Sequence, residues 1–379
     1  MKLAHLSDLH IGKRLHEASL LEDQAYILDQ IVEIVRQEAP DGVLIAGDVY
    51  DRTVPPTEAV CLLDQFLVKL TALGAPVLLI SGNHDSPERL AFGSRLLEKS
   101  RLYISSVYDG HVVPVTLEDG YGPLDIWLLP FIKPIQVRRL FPEEPIESYT
   151  DALICAVGHM ELDPSRRNVL VTHQFVTGGL RCESEELSVG GADNVDAAVF
   201  APFDYVALGH LHGPQEVGSP RVRYCGTPLK YSFSEAAQRK SVTVAELGEK
   251  GELRVRTVPL TPLRDLREIK GSYDTLASRD FYSSLDRDAY FHAVLTDEDD
   301  VPDAAGKLRS IYPGLLRLSC DNRRTRAGGA LPQPGELETI SPLELFGDFY
   351  ERQNGGPLTG EQRACLAAMM EQIWEEDAE

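Results

Sequence analysis

The chain has 379 residues, of which 43% are hydrophobic and 25% are charged, as in ordinary soluble globular proteins. Single domains usually span about 100–200 residues, so this length predicts two or three structural units. The 37 basic and 59 acidic residues give a net charge of −22. Any affinity for phosphate must therefore come from local positive charge, bound metal ions or a partner subunit.

The sequence contains no stretch of about 18 apolar residues, so we expect no membrane association. Residues 1–6 lead directly into a polar motif at Asp8 and His10. A cleaved targeting peptide would remove that motif, so we expect a cytoplasmic protein. No CxxC pair is present, which predicts reduced, inert thiols and neither a disulfide framework nor a structural zinc site. The six cysteines are Cys61, Cys155, Cys182, Cys225, Cys320 and Cys365.

The first 80 residues alternate strand and helix patterns. The predicted strands span 3–6, 42–46 and 77–80, and the predicted helices span about 20–35 and 57–73. Gly74 and Pro76 follow the second helix in the order typical of a left-handed C-terminal cap and a proline that stops the helix. This βαβαβ order predicts a sheet rich in parallel strands.

Later apolar segments predict a second sheet. They span 168–172 and 205–208, followed by a pair at 241–246 and 252–258 around two glycines. We therefore predict an α/β fold, in which two packed sheets flanked by helices form a domain of residues 1–260.

A smaller α/β capping domain is predicted for residues 261–322, because the strand and helix pattern restarts there. Its predicted elements are a strand at 266–269, a helix at 273–285, a strand at 290–295, a helix at 304–311 and a strand at 315–319. Residues 323–340, which are basic at first and then rich in glycine and proline, predict a flexible linker.

The segment 341–379 is predicted to be helical, since Ser341 to Glu344 and Thr359 to Gln362 both have capping-box spacing. The second helix carries an apolar stripe at helical spacing. The stripe either packs on its own domain or docks on a partner, and the sequence supports both readings equally. It consists of Leu366, Met369, Met370, Ile373 and Trp374.

Side chains that bind metal ions follow five predicted strands. Functional groups gather at the carboxyl ends of parallel strands, so we expect these segments to converge on one site. They are Ser7-Asp8-Leu9-His10, Gly47-Asp48-Val49-Tyr50-Asp51, Gly82-Asn83-His84-Asp85, Thr172-His173-Gln174 and Gly209-His210-Leu211-His212.

The spacing within these segments favours a common centre. Asp8 and His10 are two residues apart, as are His210 and His212, so each pair points to one side of an extended chain. Glycine permits sharp turns and close backbone approach, and it directly precedes ligand candidates at positions 47, 82 and 209.

Carboxylate, imidazole and amide donors without thiolate suit Mn²⁺, Fe or Zn²⁺. Seven candidate ligands are more than one ion needs. They predict two ions about 3.5–4 Å apart, bridged by one carboxylate, which can activate a water and stabilise both reacting oxygens on phosphorus. We assign the remaining histidines to satisfied core or surface positions. These are His5, His16, His111, His159 and His292.

The ordered motifs DxH, GD, GNHD, H and GHLH resemble those of the calcineurin-like metallophosphoesterase superfamily. Within it, the chain resembles the bacterial members of the Mre-type nucleases over essentially its whole length. The stretches that carry this closer resemblance are 81–86, 171–175, 223–228 and 232–235.

The resemblance implies a role for each matching residue. Asp8, His10 and His212 would hold one metal ion, and Asn83, His173 and His210 the other, with Asp48 bridging the two. His84 matches the family's catalytic histidine, which contacts the scissile phosphate and can protonate the leaving oxygen. Asp85 would either orient Asn83 and His84 or act structurally.

This sequence differs from the archaeal and eukaryotic members of the resembled family at one position. Those members place a second active-site histidine three residues after the bridging aspartate, where this chain has Asp51. Their substrate geometry is therefore less directly transferable. Bacterial members share the aspartate, so the resemblance still implies activity.

The resemblance also implies a substrate and partners. We expect Mn²⁺-dependent hydrolysis of DNA, as an exonuclease on duplex ends and an endonuclease on single strands or hairpins, in repair and recombination. A homodimer that acts with an SbcC-type ATPase subunit is also expected. From the residues alone, the chemistry is limited to two-metal attack on a phosphate ester.

Two other functions compete with this interpretation. A phosphoesterase for a small molecule or phosphoprotein would use the same ligands, but it would need neither the capping domain nor the C-terminal helices. A non-catalytic scaffold could lose ligands freely, and none of the expected ligands is missing here.

Overall fold

The computed structural model describes residues 1–183, 185, 194–323, 325, 342–354 and 356–376. The chain forms two compact units, Met1–Leu266 and Arg267–Glu379. The α/β class is confirmed by the mixture of parallel and antiparallel sheets with helices. The finer division at 260, 322 and 340 stays a prediction, and nearly all of the predicted linker 323–340 lies outside the described residues.

The strands are numbered in chain order within the described residues. They are β1 (Lys2–Leu6), β2 (Arg14–Leu15), β3 (Ala18–Ser19), β4 (Gly42–Ala46), β5 (Val77–Ile80), β6 (Leu102–Ile104), β7 (Val115–Asp119), β8 (Gly122–Leu129), β9 (Arg167–His173), β10 (Phe175–Val176), β11 (Asn194–Val195), β12 (Tyr205–Gly209), β13 (Gln215–Val217), β14 (Ser219–Tyr224), β15 (Ser241–Leu247), β16 (Leu253–Pro259), β17 (Leu266–Gly271), β18 (Tyr290–Leu295) and β19 (Leu315–Cys320).

The helices are numbered in the same way. They are α1 (Leu21–Glu38), α2 (Thr57–Thr71), α3 (Pro87–Leu90), α4 (Ser94–Leu97), α5 (Pro134–Leu140), α6 (Tyr149–Gly158), α7 (Tyr273–Ala277), α8 (Arg279–Tyr282), α9 (Ala304–Ile311), α10 (Pro342–Asn354) and α11 (Gly360–Glu376). None of the helices in the described part of the chain is long and apolar enough to cross a membrane.

Two six-stranded sheets form the first unit, with the strand orders β16-β15-β1-β4-β5-β6 and β13-β14-β12-β9-β8-β7. Strands β1, β4, β5 and β6 run parallel in the first sheet, and β8, β9, β12 and β14 run parallel in the second. Their nearly continuous apolar sequences suit strands that are covered on both faces. Leu44 and Leu78 of the first sheet share one buried cluster with Val169 and Tyr205 of the second, so the two sheets pack face to face.

The hairpin of β15 and β16 was predicted to belong to the second sheet, and that prediction was wrong. Strand β15 pairs antiparallel with β1, with Leu3 opposite Ala245, and thereby extends the first sheet. Alternation of apolar and polar residues predicts a strand but does not select its neighbour. Strand β1 pairs with β4 on one side, and β15 occupies its other side.

The segment between β6 and β9 contains elements that the sequence patterns did not reveal. Strands β7 and β8 form an antiparallel pair at the edge of the second sheet, and helices α5 and α6 follow them. Buried Val137 of α5 and Leu153 of α6 share a cluster with Trp127 of β8, so these helices cover the outer face of that sheet.

The second unit has a three-stranded sheet, β17-β18-β19, whose buried residues share a core with α7 and α9. The single helix predicted at 273–285 is wrong, because α7 and α8 are separate short helices. Ser278 lies between them in an extended conformation, and its side chain accepts a hydrogen bond from Phe281 N, which caps α8.

The helices predicted near the C-terminus are confirmed as α10 and α11. Thr359 and Gln362 form the predicted capping box, since each side chain accepts a hydrogen bond from the other's backbone N–H. Ser341, the predicted first residue of the other box, lies outside the described residues, as do the side chains of Ile373 and Trp374. All six cysteines carry free thiols, as predicted.

Candidate metal centre

The five polar segments follow β1, β4, β5, β9 and β12, and the two packed sheets bring their carboxyl ends together. The first cluster consists of Asp8, His10 and His212, whose ligand atoms all lie within 4.8 Å of one another. The Nε2 atoms of His10 and His212 are 3.2 Å apart. All three side chains are buried.

Asp48 lies between this cluster and its neighbours. Its Oδ2 is 3.7 Å from His10 Nε2, 3.3 Å from His173 Nε2 and 3.9 Å from His84 Nε2. Asp48 therefore faces imidazoles assigned to both predicted ions, which is the geometry that a bridging carboxylate needs.

Asn83 forms the centre of a second cluster. Its Oδ1 is 2.9 Å from His173 Nε2 and 3.0 Å from His210 Nδ1. The structure thus brings together all seven predicted ligands, and their roles as ligands stay predictions. The amide oxygen and the ring nitrogens of this cluster converge on one point, as the ligands of one ion do.

His84 stands at the exposed side of the cluster, and its ring is held by the loop after β4. Its Nδ1 donates to the backbone carbonyl oxygen of Asp51 at 3.1 Å, and its backbone N–H donates to Asp48 Oδ1 at 2.9 Å. Because a carbonyl only accepts, Nδ1 carries a proton and Nε2 is the atom that faces Asp48.

Four candidate ligands have backbone angles in the left-handed region that non-glycine residues rarely adopt: Asp8 (φ 52°), His10 (43°), Asp48 (48°) and His210 (106°). Such conformations cost about 1–3 kcal/mol each and cluster at functional sites. Backbone hydrogen bonds hold the first and second segments against each other, from Asp8 N to Gly47 O and from His10 N to Asp48 O.

Glycines at the strand ends leave the space that these ligands occupy. A Cβ atom on Gly82 would lie 2.1 Å from Asp48 Oδ1, and one on Gly209 would lie 1.8 Å from the carbonyl oxygen of Ala46. Both distances are shorter than any real contact. At both positions glycine is therefore needed for the close approach of neighbouring chain segments, as predicted.

Asp85 acts as a structural acceptor. Its carboxylate accepts hydrogen bonds from the backbone N–H groups of Val49, Tyr50 and Gly82, and so ties the loop after β4 to the loop after β5. Burial, together with the nearby charge of Asp48, raises the pKa of Asp85 to about 6. Of its two proposed roles, this geometry supports the structural one.

Several residues that support His212 were not singled out from the sequence. The backbone N–H of His212 donates to Glu185 Oε1 at 2.6 Å, and its Nδ1 lies 3.5 Å from Glu235 Oε1. Buried Lys240 donates to Glu235 Oε2 and to the backbone carbonyl of His212. Glu235 falls in a stretch that carried the family resemblance, but no local pattern marks Glu185 or Lys240 as part of a site.

Burial and mutual proximity shift the acidities of the cluster. Burial raises the pKa of Asp8. Burial also works against the charged form of Asp48, but the imidazoles of His173, His10 and His84 outweigh it and hold its pKa well below the usual range. For His173, burial alone would lower the pKa, whereas Asp48 and Asp8 raise it to about 9.

The donors present fit divalent metal ions. Buried carboxylates and imidazoles that converge without thiolates are typical of hard or borderline ions. A buried carboxylate is costly unless a cation compensates it. No lysine or arginine among the described residues forms an ion pair with Asp8 or Asp48, and Lys240 acts on Asp8 only from a longer distance. The site is therefore built to hold positive ions.

The histidines assigned to core or surface roles lie outside these groups of ligand atoms within the described residues. His5 is satisfied by Tyr205 OH and by the carbonyl oxygen of Leu208, and burial lowers its pKa to about 3. In the second unit, His292 pairs with Glu268 and Ser319.

A two-sheet sandwich that gathers imidazoles, carboxylates and an amide at its strand ends defines a metallophosphoesterase. Residues 1–214 match the family described as calcineurin-like phosphoesterase, and residues 262–354 match the one described as type 5 capsule protein repressor C-terminal domain. The chain therefore belongs to the calcineurin-like phosphoesterases and, by its similarity to two bacterial relatives, to the SbcD family within them.

Both relatives are SbcD subunits of the nuclease SbcCD. The chain is 35% identical over 381 residues to the one from Staphylococcus saprophyticus, with 99% of each chain covered. It is 38% identical over 323 residues to the one from Staphylococcus epidermidis, with 84% of this chain and 85% of the relative covered. A dimetal phosphatase from Danio rerio aligns at a TM-score of 0.38 with 11% identity, covering 69% of this chain and 98% of that one.

Proposed function

We propose that this chain hydrolyses phosphodiester bonds in DNA, as an exonuclease on duplex ends and an endonuclease on single strands and hairpins. The observation that carries the proposal is the convergence of seven ligand candidates and His84 on one strand-end site. It occurs in a chain that matches an SbcD protein of the nuclease SbcCD over nearly its whole length. A small-substrate phosphoesterase would not need the second unit, which that relative shares.

The proposed ligand sets follow the two clusters. Asp8, His10 and His212 would hold one ion, and Asn83, His173 and His210 the other, with Asp48 shared between them. The 3.2 Å approach of the His10 and His212 nitrogens and the two short contacts of Asn83 Oδ1 support this division. We propose Mn²⁺ as the metal, and the donor set also suits Fe and Zn²⁺.

Two divalent ions, when bound, supply an activated water and offset the negative charge on the reacting phosphate. The protein then has to orient the diester and supply a proton to the leaving oxygen. We assign this proton to Nε2 of His84, because Nδ1 is committed to the Asp51 carbonyl and only Nε2 faces the cluster.

Digestion of end-labelled linear duplex DNA by the purified full chain, with and without Mn²⁺, tests the proposal. We expect Mn²⁺-dependent digestion in the wild type and a loss of about 10²–10⁴-fold in rate for His84→Gln. Metal content measured on the same samples should be unchanged in the variant. Hydrolysis of a small phosphodiester without any cleavage of duplex, hairpin or single-stranded DNA would contradict the DNA substrate.

We also propose that an SbcC-type ATPase subunit binds the C-terminal segment 341–379. Phe349 of α10 and Met369 of α11 expose 58% and 56% of their surface, which leaves apolar side chains for a partner to cover. Deletion of 341–379 should abolish capture of the ATPase subunit in a pull-down and leave Mn²⁺-dependent hydrolysis of a small diester intact. Retained capture would refute this docking role.

We further propose that the protein forms a homodimer in the cytoplasm. Two large apolar side chains of the first unit are exposed, Phe92 by 87% and Leu96 by 76%. A second copy of the chain would cover them in a homodimer. The six free thiols accord with a reducing compartment. Light scattering on the purified chain and fractionation of cells test the two statements, and a monomer or a membrane-bound pool would contradict them.

A further inference from the structure

Two pairs of an aromatic ring and a cation stand beside the Asn83 cluster. The ring of Phe131 meets that of His173 edge-on, with centroids 6.2 Å apart, and Lys133 Nζ lies 6.0 Å from the Phe131 centroid. The ring of Phe175 lies 6.2 Å from that of His210, and the guanidinium carbon of Arg181 lies 3.6 Å above the Phe175 centroid. Each imidazole of the cluster thus has its own aromatic neighbour and cation.

Hydrogen bonds order the backbone at Phe131 and Lys133 and at Leu180, the residue before Arg181. Phe131 N donates to Ser81 O in the loop that carries Asn83, and Lys133 N donates to Gln136 Oε1 at the start of α5. On the other side, Gln215 bonds Leu180 twice, accepting from its N–H at 2.7 Å and donating to its carbonyl at 2.8 Å. The two cationic side chains therefore extend from hydrogen-bonded backbone segments near the Asn83 cluster.

The charge at these positions is unusual for this protein, whose net charge is −22. Lys133 is exposed, and it forms no ion pair with any carboxylate in the part of the chain that the structure describes. Because Lys133 has no carboxylate partner among the described residues and lies near the metal centre, its ammonium group is available to bind a substrate phosphate. A lysine whose only role is to cover an aromatic ring would not need to lie next to the metal centre.

We propose that the Phe131–Lys133 and Phe175–Arg181 pairs bind the phosphate–sugar backbone of a DNA strand on the two sides of the His173–His210 pair. This inference rests on the proposed function. Lysine and arginine neutralise phosphates, and aromatic faces beside them accept unstacked bases without sequence preference. Both pairs together would keep one strand aligned across the cluster while the rest of the acidic surface repels DNA.

The salt dependence of binding distinguishes phosphate contact from packing. The probe is a fluorescein-labelled single-stranded oligonucleotide, titrated by anisotropy with the full chain in EDTA so that no strand is cut. We expect Lys133→Gln and Arg181→Gln each to weaken binding, and each to reduce the slope of log Kd against log salt by about 0.7. In the double variant this slope should fall by about 1.4.

Matched variants separate charge from structure. Arg181→Lys keeps the cation and should keep the wild-type slope. Lys99→Gln removes an exposed cation just before β6, at the amino ends of the parallel strands and so at the opposite edge from the site, and should leave the slope unchanged. Thermal melting of all variants checks that each one is folded.

Two results would overturn the inference. Wild-type slopes in both Gln variants, in a chain that still cleaves DNA, would mean that the two pairs only pack against the imidazoles, and the proposed function would stand. A wild type that neither binds the oligonucleotide nor cleaves any DNA would remove the inference together with the proposed function.

Discussion

Asp48 Oδ2 lies 3.3 Å from His173 Nε2, and the same carboxylate accepts a hydrogen bond from the backbone of His84. This one side chain therefore links both proposed metal positions to the residue proposed for proton transfer. Replacing it should disturb the whole centre rather than one half.

Asp48→Ala should lower metal content at both positions, because a shared ligand serves two ions. Measurement of bound metal after gel filtration, with Asp64→Ala at an exposed position of α2 as the control, checks this. Added Mn²⁺ should also raise the melting temperature of the wild type, since ions bind only the folded site, and raise that of the variant less. Loss of a single ion would contradict the bridge.

Gly209→Ala should destabilise the protein by at least about 2 kcal/mol, because the new Cβ cannot fit 1.8 Å from the Ala46 carbonyl oxygen without moving β4 or β12. Gly158→Ala is the matched control, as it ends α6 with no atom within 4 Å of an added Cβ. That change should be neutral or stabilise by up to about 1 kcal/mol. Urea unfolding measures both, and equal stabilities would contradict the close approach.

Asp85→Asn should lower the free energy of unfolding by about 1–3 kcal/mol, since an amide offers one acceptor oxygen where three backbone N–H groups now converge on a carboxylate. The loops after β4 and β5 carry Asp48 and Asn83, so Mn²⁺ affinity should fall as well. Isothermal titration measures that affinity, with Asp64→Asn as the control. Unchanged Mn²⁺ affinity would show that the loops hold their geometry without Asp85.

Lys240→Met should cost about 3–5 kcal/mol of stability, because it leaves buried Glu235 without its cation. Lys240 also donates to Thr227 and to the carbonyl of His212, so those acceptors lose a partner. Adding Glu235→Gln should recover part of the loss, since the uncompensated charge is then removed. A double variant as unstable as Lys240→Met would contradict the pairing. Urea unfolding of the wild type and of these two variants measures this.

The Glu235–Lys240 pair also predicts a pH dependence. Burial would raise the pKa of Glu235, but His212 and Lys240 outweigh it and hold that pKa well below the usual range. The unfolded chain, with a pKa of about 4.3, binds this proton more readily. The stability contributed by the carboxylate is thus full above that pH and is lost as the pH falls toward the folded pKa. Glu235→Gln should therefore lose less stability than wild type between about pH 5 and 3 in EDTA, and equal losses would contradict the shift.

The sequence by itself determined the main βαβαβ order of the first 80 residues, although not the short strands β2 and β3, and it determined the five strand-end motifs and the capping box at Thr359. These features are recorded locally, because apolar periodicity, glycine position and cap spacing act over a few residues. It also sufficed for the family and for the full set of candidate ligands, since those ligands occupy short ordered motifs.

Only the tertiary structure decided which sheet takes the β15–β16 hairpin, because a strand pattern does not name its neighbour. It likewise decided that Glu185, Glu235 and Lys240 surround His212, since Glu185 and the connection between β14 and β15, which carries Glu235 and Lys240, meet His212 only on folding. The role of Asp85 as a backbone acceptor arises in the same way. Long-range packing creates these contacts, and no local pattern records them.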